Sequence, residues 1–223
     1  MNQYSFNVNR YNFKETVRSF LGVESLEYIH KDESFSYDTT FTRDKDQSTH
    51  WHKRYYDRSN PFFDLYTRFI VNEVSKLYDE PIVYQKIPNI RFHFPGNIAV
   101  GEWHRDRQYR DIEWSDRVKE LNFYLPLVNA YGTNTIWYET QEGLEDFTPM
   151  DCKYGNYCQW DASNLLHGNK KNVTSITRVS VDFRVIPESR FEELVDIGSI
   201  NTKTKFSIGG YYELCQSPSV VKS

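Results

Sequence analysis

Trp103-His104-Arg105-Asp106 is the stretch of this 223-residue chain whose residue types and spacing best suit chemistry. His-x-Asp sets an imidazole and a carboxylate two positions apart. At the end of an extended strand, here Ile98 to Trp103, both side chains point to the same side and can converge on one ion. A third ligand must come from elsewhere. Of the six histidines, two suit: His93, 11 positions before His104, and His167, 63 positions after it. His167 is the better placed, because it lies close to an expected strand end in Leu165-Leu166-His167-Gly168-Asn169, where Gly168 lets the chain turn at once. Two imidazoles and one carboxylate on one face of an octahedral ion leave three positions open, the arrangement in which non-haem iron(II) takes up a cosubstrate and O2. A dicarboxylate cosubstrate also needs an anchor, and a guanidinium held on a strand grips carboxylate with paired hydrogen bonds. Arg178, 11 residues after His167, lies on the polar face of the last expected strand with Ser180 beside it. Singly, each feature has an ordinary explanation as a surface pair or a solvated strand face; together, in this order, they suggest a metal site.

These side chains need a frame. The first 60 residues are polar, with one amphipathic helix over Phe13 to Leu21 and an aromatic-dotted stretch, Tyr37 to Asn60, that reads as a loop or lid. Asn60-Pro61 starts a helix over residues 61–78, in which Phe62, Tyr66, Phe69, Ile70, Val74 and Leu77 recur at helical spacing. From Pro81 to Pro187 the pattern changes to short β-branched and aromatic segments: Ile82 to Gln85, Ile90 to Phe94, Ile98 to Trp103, Leu121 to Leu127, Thr135 to Glu139, Tyr157 to Trp160 and Ile176 to Ile186. Without intervening helices such strands pair mainly antiparallel, as in a sandwich, barrel or jelly roll. In the last of them Val179, Val181, Phe183 and Val185 share one face, and Arg178, Ser180, Asp182 and Arg184 the other. Glu188 to Val195 reads as a short surface helix before a loose tail. The expected organisation is a single domain over 1–223: residues 1–80 as helical support and lid, 81–187 as the core with the site, and 188–223 as helix and tail.

Composition narrows the function. The chain is 39% hydrophobic and 17% aromatic, enough for a packed core and rich in sheet-forming residues. Its net charge of −4 supplies no basic field for nucleic acid or an anionic membrane. No apolar run approaches the roughly 20 residues that cross a bilayer, and Met1 to Arg10 lacks a secretory core. The three cysteines, an odd number matching no zinc spacing, suit a reducing cytoplasm.

The sequence resembles the iron(II)- and 2-oxoglutarate-dependent dioxygenases, and within them the small streptomycin-biosynthesis-type hydroxylases. The resemblance spans about Pro88 to Pro187. It runs through Arg91-Phe92-His93-Phe94-Pro95-Gly96-Asn97, Ala99-Val100-Gly101-Glu102-Trp103-His104-Arg105-Asp106, Glu120-Leu121-Asn122-Phe123-Tyr124-Leu125-Pro126-Leu127, Asn134-Thr135-Ile136-Trp137, Leu166-His167-Gly168-Asn169 and Thr177-Arg178-Val179-Ser180-Val181-Asp182-Phe183-Arg184. It implies a mainly β fold, a double-stranded β-helix (cupin-like jelly roll) core with flanking N-terminal helices. It implies His104, Asp106 and His167 as Fe(II) ligands, Arg178 as the 2-oxoglutarate anchor with Ser180 helping, and Arg91, His93, Asn122, Tyr124 and Thr135 as further cosubstrate contacts or as a network that shapes the barrel. Related halogenases lack the carboxylate that Asp106 supplies, so hydroxylation or another oxidation is expected, with 2-oxoglutarate decarboxylated to succinate.

Polar, aromatic and cationic residues in Tyr37 to Asn60 and in Arg105 to Arg117 could close over the mouth and suit a small polar substrate such as a sugar, amino sugar or amino-acid-derived natural product. Trp103 and Trp137 read as core aromatics that could also dry the site. His50-x-His52 reads as lid or surface, since it lacks a third metal partner. Arg91, Arg105, Arg107 and Arg178 are expected to make the pocket locally cationic. The competing readings are a cupin-like metal-dependent isomerase, a sugar-binding module, and oxidation of a protein side chain.

Overall fold

The computed structural model describes residues 1–32, 49–99, 102–109, 112–198 and 204–216, with the side chains of 195–198 excepted. In chain order its strands and α-helices are β1 (Asn2–Ser5), α1 (Phe13–Leu21), α2 (His50–Tyr55), α3 (Phe62–Phe69), β2 (Ile82–Gln85), β3 (Asn89–His93), α4 (Ile112–Val118), β4 (Leu121–Pro126), β5 (Ile136–Tyr138), β6 (Thr148–Pro149), β7 (Asn156–Trp160), β8 (His167–Asn169), β9 (Arg178–Pro187), β10 (Leu194–Gly198), β11 (Lys205–Phe206) and β12 (Tyr212–Cys215). The chain is mainly β. Every strand pairing is antiparallel, as expected where no crossover helix joins the strands.

The ten-residue β9 organises the larger, seven-stranded sheet. It pairs with β4 on one side and with β2 and β3 on the other, and its alternation divides the molecule. Val179, Val181, Phe183 and Val185 are fully buried and join α1, α2 and α3 in the main hydrophobic core. There Phe183 stacks on Phe123 at 5.0 Å and meets Tyr66 at 5.2 Å, aromatic pairings that add to area burial. The opposite face carries Arg178, Ser180, Asp182 and Arg184, and it looks toward a three-stranded sheet of order β6-β5-β8. The two sheets share no strand. This is the expected jelly-roll arrangement, with a cleft between its sheets.

Several local expectations are corrected. Helix 61–78 is α only over Phe62–Phe69, then continues as a π-turn, Ile70–Val74, and a 3-10 turn, Ser75–Leu77; the Asn60 side chain does accept the Phe62 amide at 3.0 Å. Ile98 to Trp103 forms no strand among its described residues, and only His104 makes an isolated bridge, to His167. Glu188 to Val195 is not a helix: Glu188–Arg190 is a single 3-10 turn, and Leu194 begins β10. The chain ends are not mere flanks, because β1 and β12 are the outermost strands of the main path of the large sheet. Of the expected lid, residues 37–48 lie outside the described residues; its other end is α2, with Trp51, His52 and Tyr55 buried. The second mouth segment contains α4, whose Trp114 and Val118 pack with Phe206 and Tyr212. Among the described residues, no helix is long and apolar enough to cross a membrane.

Candidate metal and dicarboxylate site

The ladder that joins His104 to His167 builds the site. Their backbones exchange two hydrogen bonds, 2.9 and 3.0 Å, so the two imidazoles stand side by side with ring centres 4.4 Å apart. Asp106 opens a 3-10 turn rather than extending a strand, and its amide is tied to the Ala162 carbonyl at 2.9 Å. That tether turns the carboxylate back toward the histidines. Asp106 Oδ1 lies 3.5 Å from His104 Nε2 and 3.6 Å from His167 Nε2, and the three residues form the one possible metal-ligand group among the described residues.

The other ring nitrogens fix the tautomers. His104 Nδ1 faces the Glu102 carbonyl at 3.0 Å and His167 Nδ1 the Leu165 carbonyl at 2.9 Å. A carbonyl only accepts, so a neutral imidazole here donates from Nδ1 and leaves the Nε2 lone pair pointing inward. Burial keeps His167 neutral, lowering it to about 4 against the pull of Asp106. Burial alone would raise Asp106, but the Arg184 guanidinium beside it outweighs burial and holds the carboxyl well below its usual range. Two imidazole nitrogens and one ionised oxygen, converging and braced from behind, are a donor set that fits a divalent transition metal.

The cleft encloses about 560 Å³, counting its open mouth. Arg91, Asn122, Ser180 and Arg178 line it together with the three candidate ligands. Arg178 is 1% exposed, and neither its Nε nor its Nη1 has a partner among the described residues. The neighbouring cations differ: Arg91 pairs with Asp182 at 3.4 Å, and Arg184 with Asp106 at 2.8 Å. Tyr124, on the next strand, also lines the cleft, its buried hydroxyl beside those of Thr135 and Ser180.

The remaining expected residues sit elsewhere. Thr135 is not among the lining residues; its hydroxyl donates to the Met150 carbonyl at 2.7 Å. His93 is fully buried outside the cleft with its ring between the Asn134 and Asn97 carbonyls. Arg105 and Arg107 do not line the cleft, being drawn to Glu139 at 2.8 Å and Glu142 at 2.7 Å. The indole that lines the cleft is Trp160, edge-on to His167 at 4.8 Å; Trp103 and Trp137 do not line it, and Trp103 is exposed and not a core aromatic. His50-x-His52 is no metal pair: His52 is buried against Phe92 with Nδ1 on the Thr49 hydroxyl. Residues passed over as functional, Asp182 and Arg184, line the cleft from the same face of β9 as Arg178. The two-residue alternation that marked Arg178 marked them too.

Gly168 serves packing rather than a turn. It lies inside β8, and a Cβ there would meet Cδ2 of Trp103 at 2.8 Å and its Cγ at 3.0 Å. Gly168→Ala should therefore displace the indole and cost roughly 1–3 kcal/mol as overpacking. Urea unfolding checks this, and an unchanged midpoint would mean that the indole moves aside freely.

No family model matches the chain. The streptomycin biosynthesis protein StrG from Streptomyces griseus is 34% identical over 212 residues, spanning 93% of this chain and 95% of StrG. Among solved structures, EctD from S. alaskensis with 2-oxoglutarate and 5-hydroxyectoine has a TM-score of 0.52 at 16% identity, covering 84% of this chain and 72% of EctD. HygX from Streptomyces hygroscopicus with nickel and 2-oxoglutarate bound matches at a TM-score of 0.40 and 12% identity, over 92% of this chain and 90% of HygX. The likeness to EctD establishes a common fold. An identity of one third sustained over almost the whole of both sequences goes further: this chain belongs to the StrG family.

Proposed function

We propose that this protein is an Fe(II)- and 2-oxoglutarate-dependent oxygenase that hydroxylates or otherwise oxidises a small polar metabolite. The observation that carries the reading is Arg178, a buried guanidinium with no carboxylate of its own, lining the same cleft as a convergent His/Asp/His group. An uncompensated buried cation is costly unless an anion completes it. A dicarboxylate completes it, with one end at Arg178 and the other toward the donors.

In this reading His104, Asp106 and His167 hold the ion, which with 2-oxoglutarate and O2 supplies the oxidising chemistry. Arg178 grips the distal carboxylate through its planar fork, and the Tyr124 and Ser180 hydroxyls add donors to it. The Glu102 and Leu165 carbonyls fix the tautomer that turns each Nε2 lone pair toward the ion, and Trp160 excludes water on one flank. The name of the StrG relative supports a natural-product building block as substrate, with sugars, amino sugars and amino-acid derivatives as the class. The three cysteines, all free and buried, support a reducing, cytoplasmic setting; the negative net charge supports neither nucleic acid nor membrane as a partner.

Adding 2-oxoglutarate anaerobically to Fe(II)-loaded protein should give a weak visible charge-transfer band, and a panel of sugars, aminocyclitols and amino acids should include one that stimulates succinate release. No band in the metal-loaded protein would overturn the proposal. Ligand binding or turnover without succinate would favour an isomerase or a sugar-binding module, and a response to peptides alone would move the substrate to a protein side chain.

A further inference from the structure

We infer that Arg184 is a positioning residue that restricts Asp106 to offering one oxygen to the metal. The inference rests on the metal reading above and extends it to a residue outside the ligand set. Arg184 and Asn122 are direct cross-strand partners on β9 and β4, the centre of the large sheet. Both reach the same atom: Asn122 Nδ2 and Arg184 Nη2 each donate to Asp106 Oδ2 at 2.8 Å. With two donors, one of them charged, Oδ2 is satisfied from the sheet side. Oδ1 is left facing the two imidazole nitrogens.

The guanidinium is itself held from three further directions. Nη1 donates to Asp182 Oδ2 and, at 3.4 Å, to Gln85 Oε1, while Nε lies 3.6 Å from Glu120 Oε1. Glu120 in turn accepts from the Tyr212 hydroxyl at 3.2 Å on the edge strand β12. Arg184 therefore has little freedom, and a fork fixed by its neighbours orients a carboxylate more firmly than a flexible ammonium would. This matters because Asp106 stands on a short turn, not on a strand. Its backbone alone does not set the carboxylate rotation. A carboxylate free to rotate can chelate with both oxygens and so occupy a coordination position that a cosubstrate needs.

The test uses Co(II) as the probe, titrated into full-length metal-free protein and followed through tryptophan quenching and the visible d–d bands. Arg184→Gln and Asn122→Ala should each weaken Co(II) binding roughly 10- to 100-fold, as is usual when groups that orient metal ligands are lost. They should also change the band intensities, because a two-oxygen carboxylate alters the coordination number. Arg184→Lys should recover part of the affinity without restoring the wild-type bands. Asn122→Ala removes no charge, so it remains informative if Arg184→Gln does not fold. Folded Asn122→Ala and Arg184→Lys proteins that bind Co(II) with wild-type affinity and bands would overturn the inference. A wild-type protein that binds no Co(II) would instead refute the metal reading, and this inference with it.

Discussion

Arg178→Ala should all but abolish 2-oxoglutarate binding while leaving metal affinity close to wild type. Truncating one partner of a buried, hydrogen-bonded charge pair costs about 2–5 kcal/mol, or roughly 30-fold to several thousand-fold in Kd. Arg178→Lys should recover little, because an ammonium keeps the charge but loses the paired geometry. The effect on stability should run the other way. In the free protein the guanidinium is buried with two unpartnered N–H-bearing nitrogens, a cost to the folded state. Arg178→Met should thus unfold at a higher temperature than wild type without 2-oxoglutarate, and lose the further rise that saturating 2-oxoglutarate gives wild type. Calorimetric titration and thermal melts of the metal-loaded proteins check both halves. Equal 2-oxoglutarate affinity in wild type and Arg178→Ala would remove Arg178 from the anchor role.

The second large effect is acid lability of the metal-free protein. Burial pushes His52 and His93 down to about 3 and His167 to about 4. For His93 burial and the nearby Arg178 prevail over three backbone groups that would favour the charged ring. In the unfolded chain each titrates near its ordinary value of about 6.5. Below that pH the unfolded state takes up protons that the folded state refuses, so stability falls as pH falls. The loss approaches about 1.4 kcal/mol per pH unit for each histidine, and by pH 5 the three together remove about 6 kcal/mol, comparable to the whole stability of many domains. Asp106 and Asp182, both held below the usual carboxylate range, add to the loss only once the pH nears their unfolded values. Urea midpoints should drop steeply between pH 6.5 and 5, and a flat profile over that interval would show that these rings are not kept neutral.

Much of this was readable where local pattern and tertiary role coincide. The alternation of β9 announced both faces of the sheet, and the apolar spacing of Phe13–Leu21 announced its helix. His104, Asp106, His167 and Arg178 could be singled out because their types and order are chemically restrictive. The misreadings fall where distant partners decide. β1 pairs with β7 across more than 150 residues of sequence, and no local signal encodes that. Glu188 to Val195 has a helix-like composition, but pairing of Leu194 with Phe206 draws its end into a strand. Arg105 looked like a pocket cation until Glu139, buried and 34 residues away, claimed it. Gly168 was read as a turn residue because the sequence does not reveal the indole packed on it.

The charged side chains lining the cleft are unequal in number: three guanidinium groups, Arg91, Arg178 and Arg184, face two carboxylates, Asp106 and Asp182. A divalent ion entering beside them deepens the positive excess, and a dianion relieves it. Under the proposed function their binding would be linked, and the linkage reciprocal: the factor by which the metal tightens the dicarboxylate would equal the factor by which the dicarboxylate tightens the metal. Neither equilibrium belongs to one ligand alone. The availability of a central metabolite would then set how firmly the protein keeps its metal.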